Sequence, residues 1–452
     1  MQTVESRHEI IARFRIGTSM EEIMKGNTSL FNARISQWAG RLMMLLAAAL
    51  LLTALATNAD AQTITSFINT DGAHVAYIGM DSHVHQLFCP SSQNCNINSA
   101  WINQDLTADV GGPLAGLFSR IAGFSDSIGD HVFLVDQNQH IDQLLYTASS
   151  RIWVNSDLGV LNATGISGHA DSSLEYLFYE TNDQHVHLKK SLNGVTWTDL
   201  DLTGAPLAWQ GSRITSFHDA NGNHAFYMGA NQHIYHLYDA PVIELSCSNT
   251  IFGRTCIAVT VMKWFNQDLF VFGGVTGEWP ALTSFSDGQG EHVSYVGADW
   301  DVHEYLHDSS GKWSDTNVTL EFPAGAPTYD LTGTGLTNMS DGGTEYFFYV
   351  GTDLDVHADF MNGTWGGEDV SKMAGGPSVG VTHCYTSELT SFSRSWWIYR
   401  VPPYPSTLEI EDNIFYVAND GNIHRISKVS GLFPAYWHDQ NLNASLFNAC
   451  LQ

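Results

Sequence analysis

The side chains in this sequence that are best suited to chemistry are histidines and carboxylates that stand two positions apart in short, strand-like segments. In the stretch GADWDVHEYLHDSSGKW, residues 297–313, Asp301 and His303 form such a pair. Alternate residues of a β-strand point to the same face, so the two groups would lie side by side. Such a pair could supply two ligands of a zinc ion, which needs a third protein group, or could take part in acid–base catalysis.

The same pattern recurs along the chain, which indicates architecture. A catalytic site is normally unique, whereas a side chain that recurs in every repeat usually satisfies a backbone group or bridges to a neighbouring repeat. We therefore predict structural hydrogen bonding for these groups, in preference to ligand contact or metal binding, with no catalytic residue and no metal site. An eight-residue step defines the seven copies without a gap: Tyr77 to His85, Leu134 to Asp142, Tyr179 to His187, Tyr227 to Tyr235, Tyr295 to His303, Tyr349 to His357 and Tyr416 to His424.

Further elements repeat on both sides of this step. Upstream, a short segment such as ITSF at Ile64 or LTSF at Leu282 opens each copy. Downstream, each copy reaches a tryptophan that is usually followed by Asp-Leu. This indole is either a buried wedge between repeats, which we favour, or a platform for stacking on a sugar. The seven residues are Trp101, Trp153, Trp197, Trp264, Trp313, Trp365 and Trp437.

Each copy reads as four short strands within about 50 residues, with turn residues between them and no amphipathic helix. A four-stranded antiparallel unit cannot bury both of its faces alone, but radial packing of several units covers them. The sequence therefore predicts an all-β fold, a seven-bladed β-propeller of four-stranded antiparallel blades. A β-sandwich or two smaller β domains would not require so regular a register.

The N-terminal segment resembles a leader. Arg34 and Arg41 precede an uncharged apolar run of 15 residues, 42–56, and small residues follow at Ala59 and Ala61. This is the pattern of a signal peptide at about residues 34–61 within a leader of residues 1–61, and the run is shorter than the roughly 20 residues of a membrane-spanning helix. An uncleaved anchor is the alternative. Residues 62–452 would then form a single propeller domain in a secreted or periplasmic protein.

The net charge restricts the possible binding partners of the protein, and its cysteines indicate the cellular compartment. Without residues 1–61, 19 − 6 = 13 basic and 47 − 5 = 42 acidic residues remain, a net charge of −29. Phosphate backbones and anionic lipid surfaces are bound by clusters of Lys and Arg, so we predict neither nucleic acid nor a membrane surface as a partner.

All six cysteines follow the leader, and we predict the disulfides Cys89–Cys95, Cys247–Cys256 and Cys384–Cys450, the first two in locally stapled loops.

The repeats resemble a known family. The recurring G-x-D-x-H-V-H-x-L pattern, the downstream Trp with the Asp105-Leu106-Thr107 stretch, and the AGAP turn at 324–327 are similar to secreted β-propeller lectins of the fucose-binding type, over about residues 64–443. The resemblance implies sugar pockets between adjacent blades and multivalent binding of glycans or glycoconjugates. The candidate carbohydrate-binding residues are the seven tryptophans above together with His85, His187, Tyr235, His303, His357 and His424.

We therefore predict a lectin-like protein for fucose or a related neutral sugar, with no cofactor and without enzymatic activity. Two alternatives stay open. A sialidase-like glycoside hydrolase would need a pair of acids, for which Glu291 and Glu304 are the first choices because they break the repeat symmetry. A propeller could also be a scaffold that binds another protein across one face.

Overall fold

Short apolar strands separated by Gly, Asp and Asn turns form seven four-stranded antiparallel sheets in the computed structural model of the chain. The described residues all belong to the compact unit Ala59–Gln452. The other unit, Met1–Asn58, lies outside them, as does the whole of the predicted leader, residues 1–61. The structure describes residues 64–116, 119–202, 207–250, 253–274, 277–299, 301–319, 335–341, 343–351, 353–379, 389–398, 407–430 and 436–445.

Each sheet is one blade, built from a contiguous stretch of chain. Blades one to four comprise β1 (Ile64–Ile68), β2 (Gly72–Ile78), β3 (Val84–Pro90) and β4 (Ile102–Asp105); β5 (Ile121–Ser125), β6 (Gly129–Val135), β7 (Ile141–Thr147) and β8 (Trp153–Asp157); β9 (Ala163–Ala170), β10 (Glu175–Thr181), β11 (Val186–Ser191) and β12 (Trp197–Asp201); and β13 (Ile214–His218), β14 (Asn223–Met228), β15 (Ile234–Thr250) and β16 (Gly253–Asp268).

Blades five to seven comprise β17 (Gly277–Ser286), β18 (Gly290–Gly297), β19 (Val302–Asp308) and β20 (Trp313–Asn317); β21 (Leu336–Ser340), β22 (Glu345–Val350), β23 (Val356–Met361) and β24 (Trp365–Asp369); and β25 (Leu389–Ile398), β26 (Thr407–Val417), β27 (Asn422–Ser430) and β28 (Trp437–Ser445). The strands of a blade pair in sequence order, first with second, second with third and third with fourth.

The strand register explains both spacings of the repeat. The eight-residue step joins residues that face each other across the second and third strands, as Tyr77 faces His85 and Tyr295 faces His303. The 13-residue step joins partners across the first and second strands, such as Ile64 and Tyr77. A hairpin keeps its register only while its turn length is constant, so the eight-residue step is the same in all seven blades. The 13-residue step holds in six blades, and in blade seven a longer hairpin places Leu389 opposite Tyr416.

The blades close into a ring, which confirms the predicted seven-bladed β-propeller. Seven buried apolar clusters each combine residues of two neighbouring blades, and one of them joins blade seven to blade one. The innermost strands contact one another around the ring, including β1 with β25. Each sheet therefore covers its apolar faces with its neighbours, as the sequence argument requires.

Hydroxyl groups of the opening segments link the innermost strands. The second residue of one segment bonds to the third residue of the next, as between Thr215 and Ser284 (2.8 Å) and between Thr337 and Ser391 (2.9 Å). The bond between Thr390 and Ser66, at 2.7 Å, crosses from the last blade to the first. The recurring Thr and Ser of ITSF and LTSF are thus contacts between blades.

The ring closes without strand exchange, because blade seven uses only its own strands. Side chains hold the seam, and Arg425 is at its centre, fully buried beside the equally buried Glu411 at 2.6 Å. Its guanidinium also donates to Asn413 (2.7 Å), to the Cys95 carbonyl (3.0 Å) and to Asn96 (3.0 Å). Blades seven and one are therefore joined by a buried cation.

Two predicted disulfides are present, Cys89–Cys95 and Cys247–Cys256. The second corrects the prediction of a stapled loop, because Cys247 and Cys256 face each other near the tip of a regular two-stranded ribbon that β15 and β16 extend beyond the blade. The ribbon exposes apolar side chains, among them Ile243 and Leu245. Cys384 and Cys450, with their predicted disulfide, and the AGAP turn lie outside the described residues.

Two short helices, Leu106–Val110 and Val370–Ala374, follow the fourth strand of blades one and six. Asp105 and Asp369 cap them by accepting a backbone N–H, so in these blades the repeated Asp begins a helical turn. In the described part of the chain no helix has the length and apolar character needed to span a membrane.

Candidate functional site

The histidines of the third strands stabilise the turn that precedes them. Nε2 of His85 lies 3.0 Å from Oδ1 of Asp81, and the same contact measures 2.9 Å between His357 and Asp353. Each ring also stacks on the tyrosine opposite, as His85 does on Tyr77. The turn itself includes a residue in the left-handed region, for example Ser82 at φ 65°. These histidines therefore make hydrogen bonds, but to a carboxylate of their own blade and not to a backbone group or to the next blade.

The residue two positions earlier binds the aspartate that follows the tryptophan. Nδ1 of His83 lies 2.8 Å from Asp105, and the corresponding distances are 2.9 Å from His185 to Asp201 and 2.8 Å from His233 to Asp268. The Asp of the repeated Asp-Leu pair thus ties the fourth strand to the turn between the second and third. Both polar members of the pattern act inside one blade.

The repeated tryptophans lie between blades, as favoured from the sequence. Trp197 of blade three meets Phe133 of blade two edge to face, Trp264 meets Phe178, and Trp437 meets Phe348. Trp101, Trp313 and Trp437 are buried, whereas Trp153, Trp197, Trp264 and Trp365 are half-buried. The four half-buried indoles keep part of their surface available to a ligand.

The structure does not bring the predicted histidines and tryptophans together. In blade five His303 pairs with Asn317 at one end of the strand pair, and Trp313 pairs with His307 at the other. The same separation is present in blade six, where His357 pairs with Asp369 and Trp365 pairs with Met361. A pocket built around the indole must therefore recruit other polar residues.

Such a pocket is present between blades one and two. It is a cleft of about 790 Å³, which lies within the range of about 300–1,000 Å³ typical of ligand sites. Trp153 is the predicted residue in its wall, and Tyr146 packs against this indole at 5.5 Å between ring centroids. The full lining is Asp71, His74, Gln86, Phe88, Gln104, Asp109, Asp130, Tyr146, Arg151, Ile152 and Trp153.

His74 is the central polar group of this cleft. Its ring is sandwiched between Phe67 and Phe88, with centroids 4.8 and 4.7 Å away. The two ring nitrogens and Oε1 of Gln86 are buried and make no hydrogen bond of good geometry, although the Gln86 side chain lies close enough to raise the pKa of the imidazole. Burial lowers the pKa of His74, although the Asp130 carboxylate 4.0 Å away opposes the shift. The cleft is thus lined by an imidazole and an amide, side chains that can each donate and accept hydrogen bonds.

Close backbone packing positions the aromatic wall. Gly129 opens β6 against the carbonyl of Tyr146, and a Cβ at this glycine would lie 1.7 Å from that oxygen. Only glycine allows so close an approach of the two strands. The position of Tyr146, and through strand pairing that of Trp153, therefore depends on this contact.

Sequence reasoning missed a polar series at the start of the second strands. The residue four positions before the start of the eight-residue step is acidic in five blades; it lies at or next to the first residue of the second strand in four of them and within that strand in blade seven. The next residue is often histidine, a signal readable as G-x-H in GAHV, GDHV, GNHA and GEHV. Glu291 belongs to this series and does not break the repeat symmetry, which corrects that interpretation. The five acids are Asp130, Glu175, Glu291, Glu345 and Asp412.

Other interfaces are filled by the protein's own side chains. Between blades six and seven, the Lys428 ammonium lies 4.9 Å from the Trp437 ring and 5.6 Å from Tyr346. Glu368 accepts a hydrogen bond from the Trp437 indole at 2.6 Å. Between blades seven and one, the disulfide loop covers Trp101, whose indole donates to the Cys95 carbonyl. These interfaces therefore differ chemically from the first.

The buried acids predict a pH dependence of stability. Burial raises the pKa of Glu175 from 4.5 to about 7, an effect that His131 opposes and Asp126 strengthens. Folding then favours the protonated carboxyl, so its stabilising effect is complete below pH about 4.5 and is lost as the pH rises through about 7. We expect Glu175→Gln to match the wild type at pH about 5 and to exceed it in unfolding free energy at pH about 8. Urea unfolding at both pH values checks this, and equal differences at both would contradict it.

Comparisons with known proteins support the fold. A scan against protein-family models and a search of curated proteins both find no match. Among solved structures, the BP39L lectin from Burkholderia pseudomallei has a TM-score of 0.54 at 11% identity, over 86% of this chain and 99% of that chain. The fucose-specific lectin from Aleuria aurantia has a TM-score of 0.44 at 11% identity, over 86% and 96%. The resemblance expected from the sequence is confirmed at the level of architecture: this chain has the β-propeller fold of the Burkholderia lectin.

Proposed function

We propose that this chain is a carbohydrate-binding protein and that the cleft between blades one and two is a glycan site. The observation that carries the proposal is the combination, in one cleft, of the Trp153 and Tyr146 rings with hydrogen-bonding side chains, among them His74, Gln86 and Gln104. A sugar ring presents an apolar face and several hydroxyl groups. The cleft offers a matching aromatic surface and several side chains that donate or accept hydrogen bonds.

The charges of the cleft favour a neutral polyhydroxylated ligand over an anion. Asp71, Asp109 and Asp130 contribute carboxylates, against one cation, Arg151. Carboxylates accept hydrogen bonds from hydroxyl groups but repel an anionic sugar acid. Fucose or a related neutral sugar meets these requirements, and a propeller lectin of the same fold is a further analogy in its favour.

The proposal includes several sites of unequal strength. Half-buried tryptophans at three further positions, Trp197, Trp264 and Trp365, could line related pockets, whereas Lys428 and the disulfide loop occupy two interfaces. Several weak sites on a rigid ring combine through avidity when they bind one glycan-covered surface. We therefore propose multivalent binding with fewer than seven competent pockets.

We also propose that the chain acts outside the cytoplasm, as a mature propeller domain that begins near residue 62. The two disulfides agree with an oxidising compartment. The strongly acidic charge supports the exclusion of nucleic acid and anionic membrane surfaces as partners.

Substitution of Trp153 tests the glycan site. We expect Trp153→Ala to weaken binding of a monovalent neutral sugar at this cleft at least about tenfold, or ~1.4 kcal/mol, because the stacking surface is lost. A glycan array on the mature chain selects the sugar, and isothermal titration calorimetry then measures its affinity for each variant.

The matched control is Trp209→Ala. Trp209 is 38% exposed and is absent from the lining of the cleft, so its loss should leave affinity unchanged. Thermal unfolding of both variants verifies that they remain folded. Unaltered sugar affinity in folded Trp153→Ala would refute the site, and an array without any glycan signal would refute the function.

A further inference from the structure

One buried cluster of possible metal ligands differs from the others. At the interface of blades four and five, Nδ1 of His224 lies 2.9 Å from Nε2 of His236 and 3.5 Å from Oε2 of Glu291. The three ligand atoms lie within 4.8 Å of one another. The side chains are almost completely buried, with residue exposures of 3%, 3% and 2% for His224, His236 and Glu291.

With neutral imidazoles, hydrogen bonds leave one oxygen of this cluster unsatisfied. When Nε2–H of a neutral His224 donates a hydrogen bond to Asp219, 3.2 Å away, Nδ1 of the same ring carries a lone pair. This lone pair can accept one hydrogen bond, from His236. Oε2 of Glu291 then faces that lone pair, and it has no hydrogen-bond partner. A buried carboxylate oxygen without a donor or cation is costly. A cation placed among the three atoms would bind the two nitrogens and this oxygen together.

The surroundings are those of a metal site. A tetrahedral zinc ion with bonds of about 2.0–2.1 Å places its ligands about 3.3 Å apart, close to the separations seen here. Zinc-bound histidines usually donate their other N–H to a carboxylate, the arrangement that Asp219 provides for His224. The second oxygen of Glu291 is also held, since Asn221 donates to Oε1 at 3.2 Å and Nδ1 of His307 lies 3.2 Å from the same oxygen.

The remaining groups of closely spaced ligand atoms among the described residues lack this feature. Each has a single imidazole with two carboxylates, and a carboxylate within hydrogen-bond distance accounts for its ring. They are Asp81/His85/Asp105, Asp126/His131/Glu175, Asp287/His292/Glu345 and Asp353/His357/Asp369.

We propose that His224, His236 and Glu291 bind one Zn²⁺ ion between blades four and five. Two ligands come from blade four and one from blade five, so the ion links neighbouring blades, with a fourth position left for water. The site uses G-x-H residues of the second strands and an imidazole where blades one and two have Gln86 and Gln143. It is separate from the proposed glycan cleft and does not depend on it.

The test uses the mature chain without a polyhistidine tag, stripped with a chelator and titrated with Zn²⁺ in a competition assay. We expect one tight equivalent per chain, and at least about 100-fold weaker binding in His236→Gln and in Glu291→Gln. The glutamine variant should fold, because glutamine stands at the same register in two other blades. The control His233→Gln removes a histidine bonded to Asp268 outside the cluster and should keep the wild-type affinity.

Zn²⁺, but not Mg²⁺, should also raise the unfolding temperature of the wild type and leave that of His236→Gln unchanged. Equal zinc affinity in wild type and folded His236→Gln, or no tight equivalent in the wild type, would overturn the proposal. If both ligand variants fail to fold, X-ray absorption of the zinc-loaded wild type decides: a first shell with two imidazoles supports the site, and any other shell overturns it.

Discussion

Arg425→Ala should lower the free energy of unfolding by about 3–5 kcal/mol, the usual cost of breaking a buried ion pair. The guanidinium and Glu411 are both fully buried, so the carboxylate loses one of its two cations and retains Arg394. Asn413, the Cys95 carbonyl and Asn96 lose a donor at the same time. Since these acceptors span blades seven and one, the substitution weakens the seam of the ring.

Denaturant unfolding followed by tryptophan fluorescence measures this loss. The control is Lys263→Ala, which removes an ion pair with Glu244 on the exposed ribbon, where both partners are about half exposed. Exposed pairs contribute about 0–1 kcal/mol, so the control should unfold almost as the wild type does. A similar small effect for Arg425→Ala would show that the seam does not depend on the buried cation.

Trp313→Ala is expected to lower the unfolding free energy by about 3–5 kcal/mol, the cost of a large-to-small change in a core. The indole is 4% exposed and fills the interface of blades four and five. It stacks on His307 at 4.7 Å and meets Phe226 and His236 edge to face. Alanine would leave a cavity that the rigid strands cannot close.

The measurement is made with a chelator present, so that metal binding near His236 does not contribute. Trp197→Ala is the matched comparison, because this half-buried indole meets Phe133 in the same way but keeps part of its surface in solvent. We expect a clearly smaller loss for Trp197→Ala. Equal losses, or a loss under about 1 kcal/mol for Trp313→Ala, would show that this tryptophan is not a wedge.

Sequence spacing predicted the fold because it reports hairpin geometry directly. The eight-residue step from Tyr77 to His85 spans one turn and the paired residues on either side of it. Each blade must preserve this number of residues for its strands to stay in register. The position of the tryptophans between blades was also predicted. An indole that recurs beside loops of variable length needs a neighbouring side chain that is apolar in every repeat. That neighbour, such as Phe133 for Trp197, comes from the preceding blade.

The cleft could not be predicted in the same way. His74 and Trp153 belong to different blades, and no constant spacing connects residues that meet only when blades pack. Whether an interface stays open depends on single residues within the repeat, such as Lys428 between blades six and seven. The G-x-H signal is readable in the sequence, but the residues that meet it across the interface are not, and for this reason the sequence alone does not assign Glu291 to the repeat.

The contiguity of each blade in the chain has a consequence for how this protein folds. Every sheet forms from contacts close in sequence, so the blades can assemble early and independently, and only the meeting of the first with the last brings together distant parts of the polypeptide. Where ring closure follows the rate-limiting step of folding, its interactions are absent from the transition state. Their loss should speed unfolding while leaving the folding rate almost unchanged, so the lifetime of the native ring is set where its ends meet.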